Sequence, residues 1–240
     1  MNILITGGAS GLGEAITRKL ATDPVNTVYF TYSNSLSNAE AMEKEFPNTV
    51  AIKCDFKVTA EVNSLKDRIG TLELNVLINN AYTGDPIKTH FHKIPADEFS
   101  SGFIDNIIPT VVITQSAINS FRKKKQGKII TILTSFLLNT PPAGSSVYVA
   151  NKAYLSSLVK SWAAENIKFN ISSNSISPAF MLSGFTKEVD ERIIEQMIEN
   201  HPLKKILTAG EVAEMVLFLV NVSSQVNGMD IVINAGINIK

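Results

Sequence analysis

The chain has 240 residues, of which 45% are hydrophobic and 18% charged, enough for one large α/β domain with a sizeable core. Lys+Arg and Asp+Glu are both 22, so the formal net charge is zero and a general nucleic-acid binder lacks its electrostatic footprint. The single Cys54 excludes an intramolecular disulfide, no Cys/His cluster has metal-ligand spacing, and no apolar run approaches the ~20 residues of a membrane span, so the expectation is a soluble cytoplasmic protein with no metal.

Short β-branched runs alternate with longer amphipathic stretches along the chain. Strands are expected at 2–6, 27–32, 50–54, 76–79, 128–134, 171–176 and 230–233. Helices are expected at 12–21, 38–45, 60–69, 99–124, 146–165, 189–199 and 209–220. This alternation implies parallel strands joined by right-handed helical crossovers. The Val76-Leu77-Ile78 run reads as a central strand covered by helices on both faces. No repeat, low-complexity tract or linker divides residues 1–240, so a single Rossmann-type doubly wound domain is expected. Residues 179–190 follow Pro178 without a clean period, and a substrate lid is expected near 179–200.

Ile3-Leu4-Ile5 runs directly into Gly7, Gly8, Gly11 and Gly13, and then into a helical pattern. Glycines allow a tight turn in which backbone N–H groups approach a pyrophosphate, and the helix N-terminus turns its unpaired donors toward the anion. Gly7, Ser10, Gly11, Leu12 and Gly13 are therefore candidate dinucleotide contacts. An acidic residue closing the second strand would accept from a ribose 2′-OH and repel a 2′-phosphate. Here that strand closes on Tyr32, Ser33, Asn34 and Ser35, with no acid, which favours NADP(H) over NAD(H). Asp55, after the third strand, is placed either to accept from an adenine amino group or to cap a turn.

Tyr148 and Lys152 stand four residues apart, and Ser135 lies thirteen residues before Tyr148 at the end of an apolar run. Residues four apart share a helix face. An unperturbed Tyr has a pKa of ~10, and a neighbouring ammonium is expected to lower it. Tyr148 would then exchange a proton with a carbonyl or alcohol oxygen, with Lys152 holding a nicotinamide ribose and Ser135 steadying the substrate oxygen.

These residues resemble the short-chain dehydrogenase/reductase family over nearly the whole chain. Thr6 to Gly13 matches T-G-x-x-x-G-x-G, Asn79-Asn80-Ala81 matches N-N-A, and Tyr148-x-x-x-Lys152 matches the Y-x-x-x-K pair. The resemblance implies a seven-stranded sheet, a homotetramer or dimer built through the helices at 99–124 and 146–165, and catalytic roles for Asn106, Ser135, Tyr148 and Lys152. By the same resemblance Asn106 holds a water that relays protons through Lys152, and Asn80, Ala81 and Pro178 line the coenzyme. Three positions depart from the family pattern. N-N-A-G reads N-N-A-Tyr82, P-G reads Pro178-Ala179 without the following Thr, and the C-terminal G-G reads Ala235-Gly236.

Within the family, Arg122, Lys123, Lys124 and Lys125 are similar to the basic turn of 3-oxoacyl-acyl-carrier-protein reductases, where such residues attract the acidic carrier protein. The alternative is a solvated helix end favoured by the dipole. The expected function is NADP(H)-dependent reduction of a ketone, a β-ketoacyl thioester on an acyl carrier protein in fatty acid or polyketide biosynthesis. A dehydrogenase of a sugar, steroid or small alcohol is the alternative, followed by a non-catalytic dinucleotide-binding protein. The four-residue Tyr–Lys spacing disfavours an enoyl reductase, which typically spaces the pair wider.

Overall fold

A computed structural model describes residues 1–86, 89–138, 140–182 and 190–237. The strands are β1 (Asn2–Ile5), β2 (Thr27–Tyr32), β3 (Thr49–Lys53), β4 (Val76–Asn79), β5 (Gly127–Ile132), β6 (Ile171–Pro178) and β7 (Asp230–Ile233). They form one seven-stranded sheet in the order β3-β2-β1-β4-β5-β6-β7, with every pairing parallel. The helices are α1 (Gly11–Ala21), α2 (Leu36–Glu45), α3 (Thr59–Ile69), α4 (Ala96–Lys124), α5 (Ser146–Asn166), α6 (Glu191–Asn200) and α7 (Ala209–Asn221).

Side chains alternate across each strand, so the two faces of the sheet bury separate cores. Ile3, Ile5, Ile78, Ile130 and Ile176 pack with Ile16 and Leu20 of α1 and Val216 and Leu219 of α7. Leu4, Leu77, Ile129 and Ile171 face the other way, with Leu65 of α3, Ile113 and Phe121 of α4, and Trp162 of α5. Both faces are covered, which is why the central strands are apolar throughout. The chain leaves β1 for one half of the sheet and returns through β4 to the other. This reversal opens a crevice at the carboxyl ends of β1 and β4, where open α/β sheets bind ligands.

Among the boundaries that differ from the expectation, three have a clear local reason. α4 begins at Ala96, three residues early, because Pro95 precedes it and Asp97 and Glu98 fill its first turn. β5 ends at Ile132, because Thr134 caps a 3-10 turn over Ser135–Leu137, its Oγ1 accepting from Phe136 N at 3.3 Å. β6 continues through Pro178, where its last residues pair with Val232 and Ile233. Of the lid expected at 179–200, residues 183–189 lie outside the described residues. The remainder includes α6, which has no buried residue and is capped by the Asp190 carboxylate accepting from Arg192 N.

Candidate active site

β1 delivers the chain into the glycine turn, which is built from close backbone contacts. A Cβ on Gly13 would lie 1.9 Å from Gly7 O, so only glycine lets the first turn of α1 close on the loop. Gly7 has φ +65°, and a Cβ there would lie 3.0 Å from Ala81 Cα. Thr31 fixes the loop from β2: Gly7 N donates to its Oγ1 and Gly8 N to its carbonyl, both at 2.8 Å. From β4, Asn80 Nδ2 donates to Thr6 O and Gly7 O at 3.0 and 3.1 Å. Asn80, expected among the coenzyme contacts, thus braces the turn, and Ala81 packs against it. Ser10 is exposed at the N-cap of α1 and its hydroxyl makes no capping bond, so the first N–H groups of the helix carry no side-chain cap. A loop whose glycines admit no Cβ, ending in an uncapped helix N-terminus, fits a dinucleotide pyrophosphate.

Beyond the turn, Tyr32 closes β2 half-buried, while Ser33 and Asn34 are exposed. Asp55 Oδ1 accepts from Lys57 N at 2.9 Å, the turn-capping alternative for that oxygen. Asp55 N donates to Glu61 Oε2, and this bond, with Lys53 beside it, holds the Glu61 carboxyl below its ordinary range. Cys54 is buried, and its thiol is pushed up to about 12 by burial, reinforced by Glu61 and Asp55, so it is no nucleophile. Sequence reasoning missed Thr17, Thr31 and Asn38. Thr17 Oγ1 donates to Gly8 O and Gly13 O, and Asn38 Nδ2 donates to Ala9 O. Thr17 lies one helical turn after Gly13, whereas Thr31 and Asn38 are marked only by their closeness to the glycine turn in the folded chain.

At the other end of the crevice, Tyr148 and Lys152 project together from the first turns of α5. Lys152 Nζ lies 5.7 Å from the Tyr148 ring centroid and donates to Ile132 O at 2.7 Å. Lys152 is buried, and burial lowers its ammonium to about 8. Tyr148 departs from the expectation of a lowered phenol. Burial pushes it up to about 12, against the Thr134 side-chain hydrogen bond, which lowers it, with Tyr82 adding a smaller upward push. The physical reason is that desolvation outweighs an ammonium directed at a backbone carbonyl rather than at the phenol oxygen. Ser135 opens the 3-10 turn that packs on α5 and is half-buried.

Asn106 is buried on α4 with every hydrogen-bonding site of its amide engaged. Its Oδ1 accepts from Thr83 N at 2.6 Å and from Thr83 Oγ1 at 3.3 Å, while Nδ2 donates to Thr83 O and Gly102 O. The side chain therefore clamps the loop after β4. The next residue back on that loop, Tyr82, meets the Tyr148 ring edge-on, with centroids 5.0 Å apart at 85°. Pro178 ends β6 at the same carboxyl edge of the sheet. The structure thus gathers the glycine turn, Asn106, the Ser135 turn, Tyr148 and Lys152 along one sheet edge.

The four basic residues at the end of α4 lie at the opposite edge, where β5 begins. Arg122 donates to Asn166 Oδ1 at 2.8 Å and stacks on Phe169, and Lys124 donates to the carbonyls of Glu73 and Leu74. Lys123 and Lys125 are exposed. A cavity of about 150 Å³ beside Tyr82, Thr83, Asn106 and Val147 adjoins the site. A larger one, about 700 Å³, lies among Arg18, Glu45, Glu211 and Glu214 and contains none of the candidate catalytic or coenzyme residues. Among the described residues no group of His, Cys, Asp and Glu could hold a metal, and no helix is long and apolar enough to cross a membrane.

A family model described as "Enoyl-(Acyl carrier protein) reductase" matches residues 7–238. The chain is 29% identical to the 3-oxoacyl-[acyl-carrier-protein] reductase FabG of Aquifex aeolicus, over 97% of this chain and 95% of that protein. Among solved structures it resembles a short chain dehydrogenase/reductase family protein, with a TM-score of 0.86 and 25% identity, covering 98% of this chain and 96% of the other. It also resembles YwfH, an NADPH-dependent reductase involved in bacilysin biosynthesis, with a TM-score of 0.88 and 22% identity over 98% and 97% of the two chains. The second of these likenesses concerns the fold.

Proposed function

Because the chain belongs to the short-chain dehydrogenase/reductase family, we propose that it is an NADP(H)-dependent ketone reductase acting on a β-ketoacyl thioester carried by an acyl carrier protein. The observation that carries this reading is the pairing of Tyr148 with Lys152 on one face of α5, along the sheet edge that holds the glycine turn. When bound, the nicotinamide supplies a hydride to the carbonyl carbon. The glycine turn and Ser10 hold the pyrophosphate, and Ser33 and Asn34, with no acid beside them, receive a 2′-phosphate. Tyr148 donates its proton to the carbonyl oxygen, Ser135 steadies that oxygen, and Lys152 holds the nicotinamide ribose. A phenol held in its protonated form is the form a reduction requires.

The relative from Aquifex aeolicus is named for a 3-oxoacyl carrier-protein substrate, which supports the thioester. The four-residue Tyr–Lys spacing supports a ketone over an enoyl substrate. Lys123 and Lys125 are the cations left to meet a carrier protein. Exposed Ile104 and Ile108 on α4 and Tyr154 on α5 support self-association through these helices into a dimer or tetramer, in the cytoplasm. Light scattering reads the assembly. The substrate is tested by following NADPH and NADH oxidation with an acetoacetyl thioester, a crotonyl thioester and a panel of free ketones. Faster NADPH oxidation with the acetoacetyl thioester supports the reading. Preference for the crotonyl thioester, for a free ketone or for NADH overturns the corresponding part of it.

A further inference from the structure

Tyr82 stands where the family pattern has glycine, and the structure shows what the added ring touches. Its edge-on contact with Tyr148 has centroids 5.0 Å apart, and Lys152 Nζ lies 5.3 Å from its centroid. The ring thus sits within cation–π distance of the ammonium while flanking the phenol. Its hydroxyl accepts from Asn151 Nδ2 at 3.5 Å, the outer limit of a hydrogen bond, so the ring contact rather than the hydroxyl defines its place. Asn151 is itself buried where α4 approaches α5 at Gly102, a glycine whose Cβ would lie 2.8 Å from Val147 Cγ1. On the other side, Asn106 fixes the adjoining residue through Thr83 N and Thr83 O.

We propose that Tyr82 is a positioning residue for Tyr148, its ring fixing the phenol's orientation beside Lys152 and keeping water from that flank, with Asn106 holding it there through Thr83. The catalytic consequence rests on the ketoreductase reading; the packing role does not. The titratable groups facing the phenol are Tyr82 from the loop after β4 and Lys152 from its own helix. The turn after β5 contributes the uncharged Thr134, whose side chain bonds the phenol. The charged side chains of Lys57, Asp85, Glu98 and Asp105 line the cavity that Tyr82 borders. The raised phenol of Tyr148, pushed up by burial and further by Tyr82, agrees with this packing.

The test labels the five tyrosines with ¹³C at Cζ, assigns Tyr148 with a Tyr148→Phe variant, and titrates the intact protein without coenzyme. In Tyr82→Ala the Tyr148 resonance is expected to titrate lower by about one pH unit or more. Tyr82→Phe, which keeps the ring, is expected to restore the wild-type midpoint. In parallel, Tyr82→Ala should lower kcat on the ketone about tenfold or more, with a smaller change in the KM for coenzyme, and Tyr82→Phe should recover most of it. An unmoved Tyr148 midpoint in a folded Tyr82→Ala protein overturns the proposal, as does a Tyr82→Phe protein that behaves like Tyr82→Ala. A shifted midpoint with no turnover of any carbonyl compound by the wild type leaves the positioning role standing and removes the ketoreductase reading instead.

Discussion

Asn106 grips both backbone groups of Thr83: its Oδ1 accepts from Thr83 N at 2.6 Å and its Nδ2 donates to Thr83 O at 3.2 Å. One side chain on α4 thereby replaces the strand partner that the chain loses when it leaves β4. Truncation to Ala leaves Thr83 N and O without these partners. Asn106→Ala is expected to cost about 1–3 kcal/mol of stability, the range for an unsatisfied polar group, in a urea titration. A stability within ~0.3 kcal/mol of wild type would show that water substitutes for the amide at no cost.

The glycine turn predicts an asymmetry between two glycines. Gly13→Ala places a methyl 1.9 Å from Gly7 O, whereas Gly70→Ala meets nothing nearer than Asp67 O at 3.6 Å. Gly13→Ala is expected to lower stability by about 1–3 kcal/mol through overpacking and to weaken NADPH binding tenfold or more. Gly70→Ala, at φ −61°, should change neither measurement. Equal behaviour of the two variants in thermal melts and fluorescence titrations would contradict the close approach.

Lys152 carries a pH-dependent penalty with a definite sign. Its ammonium is lowered to about 8 in the folded protein against the ordinary 10.5. The unfolded chain therefore binds more protons between those values, and this group makes stability rise as pH rises from about 8 toward 10.5. Below pH 8 the folded protein buries a charge. Lys152→Met should then raise the melting temperature more at pH 7 than at pH 10. Tyr148 acts oppositely at higher pH: its phenol, raised from 10.0 to about 12, makes stability fall as pH climbs through that range. A Lys152→Met increment independent of pH would contradict the buried ammonium.

At the end of α4 the four cations divide by what they touch. Arg122 and Lys124 are bonded within the chain, while Lys123 and Lys125 are exposed. Lys123→Glu with Lys125→Glu is expected to lower kcat/KM for a carrier-protein thioester relative to a free thioester, most strongly at low salt. Arg122→Ala should instead lower the melting temperature, because it strips Asn166 Oδ1 and the Phe169 face of their partner. An unchanged substrate ratio in the charge-reversed protein would remove the docking surface.

The architecture was legible because local signals and topology agree. Val76-Leu77-Ile78 must be covered on both faces, and the sheet buries it so. The glycine motif lay between a strand and a helix, as its chemistry needs. What the sequence could not show is where polar side chains point. Asn80 matches a coenzyme position of the family and Asn106 a catalytic one, yet their amides are engaged by Thr6, Gly7 and Thr83, distant in sequence, and by Gly102, one turn earlier in α4. The Tyr148 phenol moved opposite to expectation because a four-residue spacing fixes proximity to Lys152 but not the burial around the pair. Thr31 bracing Gly7 across strands left no local trace at all.

The most direct measurement follows NADPH oxidation with an acetoacetyl thioester by wild type and Tyr148→Phe, with coenzyme affinity read by fluorescence. The phenol is the proton donor in this account, so the variant should lose about 10²–10⁴-fold in kcat while binding NADPH nearly as well. Turnover by Tyr148→Phe at the wild-type rate would contradict it.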